Sequence, residues 1–412
     1  MAIVKPFICL RPETSVVSKV AALPYDVYSR AEAKAEVKRE PFSFLKIDRA
    51  ETGFSDKVDT YDARVYKRAR KLLDEMTANG IFVREKIPCY YVYELTMDGR
   101  AQTGIVACSS IDDYAGNVIK KHENTRAEKE EDRVRHVDVC DAQTGPIFLA
   151  YRARADINAI VAEAKTGASL YDFTAVDKVR HMVWRIDSPE QVKALEEAFA
   201  RVPNTYIADG HHRAASAVRV GFKRREEHPD YKGDEPYNYF LSVLFPDEEL
   251  MIMDYNRVVK DLNGLSEEAF LERLKADFEI RNVGSEPVRP KKKGEFGMLL
   301  SDCWYLLTSK RPPCGDPVAD LDVSVLQDTL LGPVLGIGDP RTDTRIDFVG
   351  GIRGLSELSR RCHTDMKVAF SMYPTSIGEL FQVADASRLM PPKSTWFEPK
   401  LRSGLFIHKL SR

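Results

Sequence analysis

The chain has 412 residues, with 61 Lys and Arg against 63 Asp and Glu, a net charge of −2. At 43% hydrophobic and 30% charged residues it can bury sizeable cores, which excludes a disordered, fibrous or disulfide-stapled chain. The balanced charge argues against a protein that coats nucleic acid or an anionic membrane. The length predicts two or three domains. No window approaches about 18 consecutive apolar residues, so no membrane span is expected, and the opening Met1–Ile8 segment is too short for a secretory signal. Seven scattered cysteines (Cys9, Cys89, Cys108, Cys140, Cys303, Cys314, Cys362) form no C-x-x-C pair, which predicts reduced thiols in a cytoplasmic protein.

Along the chain, Leu23-Pro24-Tyr25-Asp26 sets a carboxylate beside a fixed proline turn. Asp26 is a candidate to hold a substrate amine or a metal, and equally a plain turn residue. Ser29-x-x-Glu32 is a capping box opening a helix that Pro41 closes. Tyr61, Val65, Ala69, Leu72, Leu73 and Met76 form a helical stripe that Asn79-Gly80 stops. Tyr90–Leu95 and Gly104–Ser109 flank Asp98-Gly99, a hairpin signal. A second hairpin is expected within Tyr171–Ile186, a helix around Pro189–Arg201, and a third hairpin joining Tyr237–Phe245 to Leu250–Val259. Val283–Glu295, rich in Gly, Pro and lysine, reads as a linker, and short strands restart near Phe296–Leu300, Trp304–Leu307, Arg345–Val349 and Lys367–Met372. These elements predict an α+β architecture with domains at 1–280 and 281–412.

Several familiar signatures fail. Gly99 and Gly104 have phosphate-loop spacing, but Ile105-Val106 replaces Lys-Ser/Thr. Gly336-x-Gly338 lacks the third glycine of a dinucleotide fingerprint, and His122-Glu123 lacks the second zinc-protease histidine. There is no G-x-S-x-G elbow and no H-R-D kinase loop.

The stretch that stands is Thr205–Ala208, a strand, followed by Asp209-Gly210-His211-His212-Arg213 and an Ala-rich helix over Arg213–Val220 that Gly221 closes. The turn sets two histidines and an arginine at a helix start, where free N–H groups and the dipole attract anions. Arg213 offers a fork for phosphate oxygens, and each histidine donates or accepts near neutral pH. Asp209 reads alternatively as only an N-cap. A zinc pair is disfavoured, because adjacent helical residues point about 100° apart.

Two further clusters are candidates. Lys121, His122 and Glu123 precede a helix that the capping box Thr125-x-x-Glu128 opens. They form either a site edge, with Glu123 as general base, or an exposed charged loop. The charges after them, with Arg126/Glu130 and Lys129/Arg133 at i,i+4, read as a solvated face. In Met390–Gly404, cations alternate with aromatics: Lys393, Lys400 and Arg402 are candidates to face a phosphate or acidic substrate, while Trp396 and Phe397 anchor the loop.

Pro24-Tyr25-Asp26-Val27, His122-Glu123-Asn124-Thr125, Asp209–Arg213 and Pro391–Lys400 together resemble the bacterial family called domain of unknown function 1015. The Asp-Gly-His-His-Arg element is also similar to the signature of free-serine kinases on the ParB/sulfiredoxin-like fold. That resemblance implies a ParB/sulfiredoxin-like core with large inserts, plus a smaller mixed α/β carboxy-terminal domain. It implies phosphoryl transfer from ADP or ATP to the hydroxyl of free L-serine or a similar hydroxy amino acid. Asp209, His211 and His212 would lie in the transfer site. Gly210, Arg213, Lys121 and His122 would hold the nucleotide phosphates, with Mg²⁺ bridging them and Asp209 as its ligand. The rivals are a nucleotide-gated, CTP-type nucleic-acid-binding protein and a non-catalytic metabolite binder. Sulfiredoxin chemistry is excluded, because the turn has no cysteine.

Overall fold

The structure, a computed structural model, describes residues 1–125 and 127–411; the Arg126/Glu130 pairing lies outside the described residues. The chain forms two compact units, Met1–Leu250 with Pro399–Arg412, and Met251–Glu398. The division therefore falls at Leu250, not near residue 280, and the last residues return to the first unit. Residue 280 lies inside a strand, Phe278–Gly284, and the lysine-rich stretch after it is a loop within the second unit, leading into the strand Glu295–Leu300.

In the first unit a nine-stranded mixed sheet is built from β1 (Val4–Lys5), β2 (Tyr90–Met97), β3 (Arg100–Ser110), β4 (Ile119–Lys120), β5 (Ile147–Tyr151), β6 (Tyr171–Thr174), β7 (Arg180–Ile186), β8 (Thr205–Asp209) and β9 (Tyr239–Pro246). Its order is β4-β8-β5-β9-β3-β2-β7-β6, with β1 beside the far end of β3. Asp98-Gly99 makes the two-residue turn between β2 and β3, with Met97 facing Arg100. Pairing is parallel only for β4/β8 and β5/β9. Both faces of the central strands are covered: every residue from Gln102 to Ser110 is buried. Val92, Ile105, Leu149, Ile207, Phe240 and Leu244 belong to one core.

The expected third hairpin does not form. β9 pairs with β3 and β5, while Tyr255–Val259 joins the second unit's sheet. Asp247–Glu249 is a short 3-10 turn, with Asp247 Oδ1 accepting from the Ala153 amide at 2.9 Å, so the chain is led away from β9.

Three helices position the site: α1 (Ala63–Ala78), α2 (Ala127–Cys140) and α3 (His211–Glu227). Earlier, Ser29 and Glu32 form a complete capping box on Arg30–Arg39. Val65, Ala69, Leu73 and Met76 of α1 enter a second core with Phe44, Phe82 and Ile407. That core lies against a separate four-stranded sheet ordered Phe82–Arg84, Cys9–Pro12, Ile407–Lys409, Ala142–Gln143. Gly221 does not close α3, which runs on to Glu227. A β-carbon there would stand 2.5 Å from the Tyr237 carbonyl oxygen and 2.7 Å from Ile111 Cδ1, so glycine is needed for close packing. Nor is the acidic run of α2 only a solvated face. Arg219 of α3 bonds Glu130 at 3.1 Å and Glu131 at 3.0 Å, and Arg224 bonds Asp138 at 2.9 Å. Arg133 is 8% exposed.

In the second unit six antiparallel strands follow the order Phe278–Gly284, Cys303–Ser309, Glu295–Leu300, Val368–Met372, Tyr255–Val259, Ile346–Gly350. Val258, Leu299, Trp304, Leu358 and Ala369 fill its core. Trp396-Phe397 pairs with Ile252-Met253, and the Trp396 ring meets Tyr255 edge-on at 5.0 Å, so these aromatics pack as expected. The whole is a mixed α/β protein with several sheets. All seven cysteines are free thiols. No helix among the described residues is long and apolar enough to cross a membrane.

Candidate anion site at the start of the long helix

β8 delivers Asp209 to the sheet end, and Gly210 turns the chain into α3 with φ 95°, a left-handed value that an L side chain resists. Gly210, not Asp209, is the N-cap, and no side chain among the described residues caps the helix. Its first amides and dipole therefore face whatever occupies the turn.

His211 is buried, and its ring meets that of His122 edge to face, with centroids 4.5 Å apart. His211 Nδ1 lies 3.8 Å from Glu123 Oε2. His211 Nε2 and His122 Nδ1 are buried with no hydrogen-bond partner among the described residues. Such atoms are rare in folded proteins and mark a place for a ligand or water. Burial, assisted by His122, drives the His211 pKa well below its ordinary value. Burial likewise brings His122 down to about 4 against the pull of Asp209. Both rings are neutral at pH 7.

Asp209 Oδ2 is 3.2 Å from an Arg213 Nη and 3.9 Å from Lys400 Nζ. Desolvation works to raise its pKa, but Lys400 and Arg213 outweigh it and bring it to about 2. Arg213 also donates to the Pro146 carbonyl, so its guanidinium braces the turn and lends charge instead of presenting a free fork. The Lys121 ammonium sits 4.2 Å from the centre of the Tyr114 ring. His212 is half-buried, and its carbonyl accepts from Ser216 Oγ at 2.6 Å.

The fold thus assembles His122, Glu123, Asp209, Gly210, His211, Arg213 and Lys400, with Lys121 and His212 flanking them. Two candidates belong elsewhere. Arg402 is 3% exposed, with Nε donating to His181 Nε2 at 3.2 Å and Nη2 paired to Asp177. Its donors hold the fold together and are not open to a substrate. Lys393 lies in the second unit, its ammonium 5.6 Å from the Tyr255 ring centre. Asp26 is exposed on the 3-10 turn Tyr25–Val27 at the rim of a cavity of about 760 Å³. A resident Mg²⁺ is a poor fit for Asp209: two cations flank this carboxylate, and no group of three possible ligands occurs among the described residues.

Sequence reasoning missed Asp48 and Arg133, which line that cavity. Arg133 was hidden in a charged helical run. Asp48 carried no signal, because its partner Thr144 lies far along the chain.

An anion-receptive helix start on a mixed α/β scaffold is what the fold and site define. The chain belongs to the protein family of unknown function DUF1015, whose model matches residues 4–324. No curated protein matches it. Among solved structures, a free serine kinase variant in complex with ADP is similar at 15% identity and a TM-score of 0.34, covering 74% of this chain and 93% of its own. A conserved hypothetical protein from Pyrococcus furiosus shows 15% identity and a TM-score of 0.34, with coverages of 74% and 94%. SbnI with a C-terminal truncation, from Staphylococcus aureus, shows 13% identity and a TM-score of 0.37, with coverages of 71% of this chain and 82% of the truncated one.

Proposed function

We propose that this protein is a small-molecule kinase that transfers a phosphoryl group from ADP or ATP to free L-serine or a similar hydroxy amino acid. The observation that carries the reading is the uncapped start of α3, with His211 Nε2 and His122 Nδ1 buried and unpartnered beside it. A phosphoryl group supplies acceptor oxygens for helix amides and imidazole N–H groups alike. Arg213, Lys400 and Lys121 favour its charge, and the Asp-Gly-His-His-Arg resemblance points the same way. With this reading goes a ParB/sulfiredoxin-like core for the first unit.

In the reaction, the acceptor hydroxyl oxygen bonds to phosphorus as the bond to the leaving nucleotide oxygen breaks. Glu123 takes the hydroxyl proton, and His211 and His212 donate to the phosphoryl oxygens. Asp209 holds Arg213 and Lys400 in place. Positioning and charge stabilisation supply most of the acceleration in such transfers. The nucleotide enters as its Mg²⁺ complex, a substrate rather than a resident metal.

The test is ³¹P NMR of the purified protein with Mg²⁺, nucleoside di- and triphosphates and free amino acids. A phosphoserine-type signal that disappears in Asp209→Asn is expected. Nucleotide binding without any new phosphomonoester would overturn the kinase in favour of a nucleotide-gated binding protein. Absence of nucleotide binding would overturn both.

A further inference from the structure

The cavity of about 760 Å³ in the first unit is lined by Tyr25, Asp48, Arg133 and His136, among others. The same four line a smaller cavity of about 30 Å³, whose wall also includes Arg213. Asp48 is 5% exposed, and among the described residues only the Thr144 hydroxyl donates to its carboxylate, at 2.8 Å. Arg133 directs Nε and Nη2 at Asp132 Oδ2, at 2.9 and 2.7 Å, and lies 4.0 Å from the centre of the Tyr25 ring. Its Nη1 makes no hydrogen bond among the described residues. Asp132 is fully engaged, since its Oδ1 also accepts from Tyr66 at 2.8 Å. His136 Nε2 donates to the Ile47 carbonyl at 3.2 Å, and burial lowers its pKa, so it adds no charge.

The cavity wall therefore offers one buried carboxylate short of donors and one buried guanidinium with an open end. Each feels the other's charge, but no hydrogen bond joins them among the described residues, so both keep polar atoms open to the cavity. A lone cation would satisfy the first and leave the second; a lone anion would do the reverse. A group carrying an ammonium and a carboxylate a few bonds apart answers both.

We infer that this cavity binds the α-amino-acid head group of a zwitterionic ligand, with Asp48 accepting from the α-ammonium and Arg133 donating to the α-carboxylate. The inference rests on the proposed kinase reading only in making that ligand the phosphoryl acceptor. The shared wall with Arg213 makes the phosphate turn the neighbour of the bound side chain.

Titration calorimetry on the full chain, with and without ADP, separates the two ideas. L-Serine, L-threonine and L-homoserine are the probes, against ethanolamine and 3-hydroxypropionate, which each lack one half of the zwitterion. At least one amino acid is expected to bind, and both truncated compounds to bind at least about tenfold more weakly. Asp48→Asn should weaken amino-acid binding about tenfold or more without changing that of 3-hydroxypropionate, and Arg133→Lys should spare ethanolamine. A merely unfolded variant would lose every probe, and the comparison of ligands on the unaltered protein does not depend on the variants. Binding of none of the three amino acids, or binding of ethanolamine equal to theirs, overturns the inference. The expected pattern without phosphoryl transfer keeps it and removes the kinase. Transfer to serine that neither variant affects does the opposite.

Discussion

His122 and His211 meet edge to face 4.5 Å apart, each with a buried nitrogen that no described residue satisfies. Two neutral imidazoles closed away from water make the candidate site sensitive to acid. An imidazole whose pKa is lower in the folded chain than in the unfolded one supports folding fully above its unfolded value of 6.5, and loses that support as pH falls toward about 4. The melting temperature is therefore expected to fall between pH 6.5 and 4, and His122→Gln to make the fall shallower. Equal slopes for both proteins in differential scanning calorimetry would remove His122 from the account.

His212 stands at the first turn of α3, and its carbonyl bond to Ser216 survives loss of the ring. His212→Ala should reduce kcat for phosphoryl transfer by at least about 100-fold. The variant should still unfold in a single cooperative urea transition. Parent-like turnover would end the role assigned to this ring.

Lys400 and Arg402 lie two residues apart and have opposite uses. Arg402→Met removes buried bonds to His181 and Asp177 and should cost about 2–3 kcal/mol in urea unfolding, with inorganic phosphate binding unchanged. Lys400→Met should weaken phosphate binding and cost less stability than Arg402→Met, the loss coming from Asp209 left with one cation fewer. The reverse pattern would return Arg402 to the site.

Gly221→Ala sets two effects against each other. Alanine is favoured in a helix by about 1 kcal/mol. The added carbon meets the Tyr237 carbonyl, which has no cheap way to move, and such overpacking costs about 1–3 kcal/mol. A lower urea midpoint is expected; a higher one would show that the α3 contact with Tyr237 yields easily.

Local signals were the legible ones. Asp98-Gly99 and the Ser29–Glu32 box are each decided by a few neighbouring residues and form as read, and the strand-to-helix turn falls at Asp209–Arg213, though Gly210 and not Asp209 caps the helix. The rigid, cationic loop marked Lys400 as a candidate, and Lys393 and Arg402 with it, though only Lys400 lies beside Asp209. What escaped depends on partners distant in sequence. The charge on Arg133 looks solvated until the Tyr25 ring is set against it, and Arg402 looks available until His181 is set beside it. The false third hairpin has the same origin. Both segments are good strands, and only the buried surfaces offered elsewhere in the chain decide which strands they join.

The return of Pro399–Arg412 to the first unit has a consequence for synthesis. Asp209 leaves the ribosome long before Lys400, by about 10–40 s at ordinary rates of elongation. Throughout that interval the nascent chain carries the turn without its distal cation, and the small sheet lacks Ile407–Lys409 between Cys9–Pro12 and Ala142–Gln143. Assembly of the candidate anion site is thus a late event, set by the emergence of Lys400 rather than of the residues that first reveal the turn.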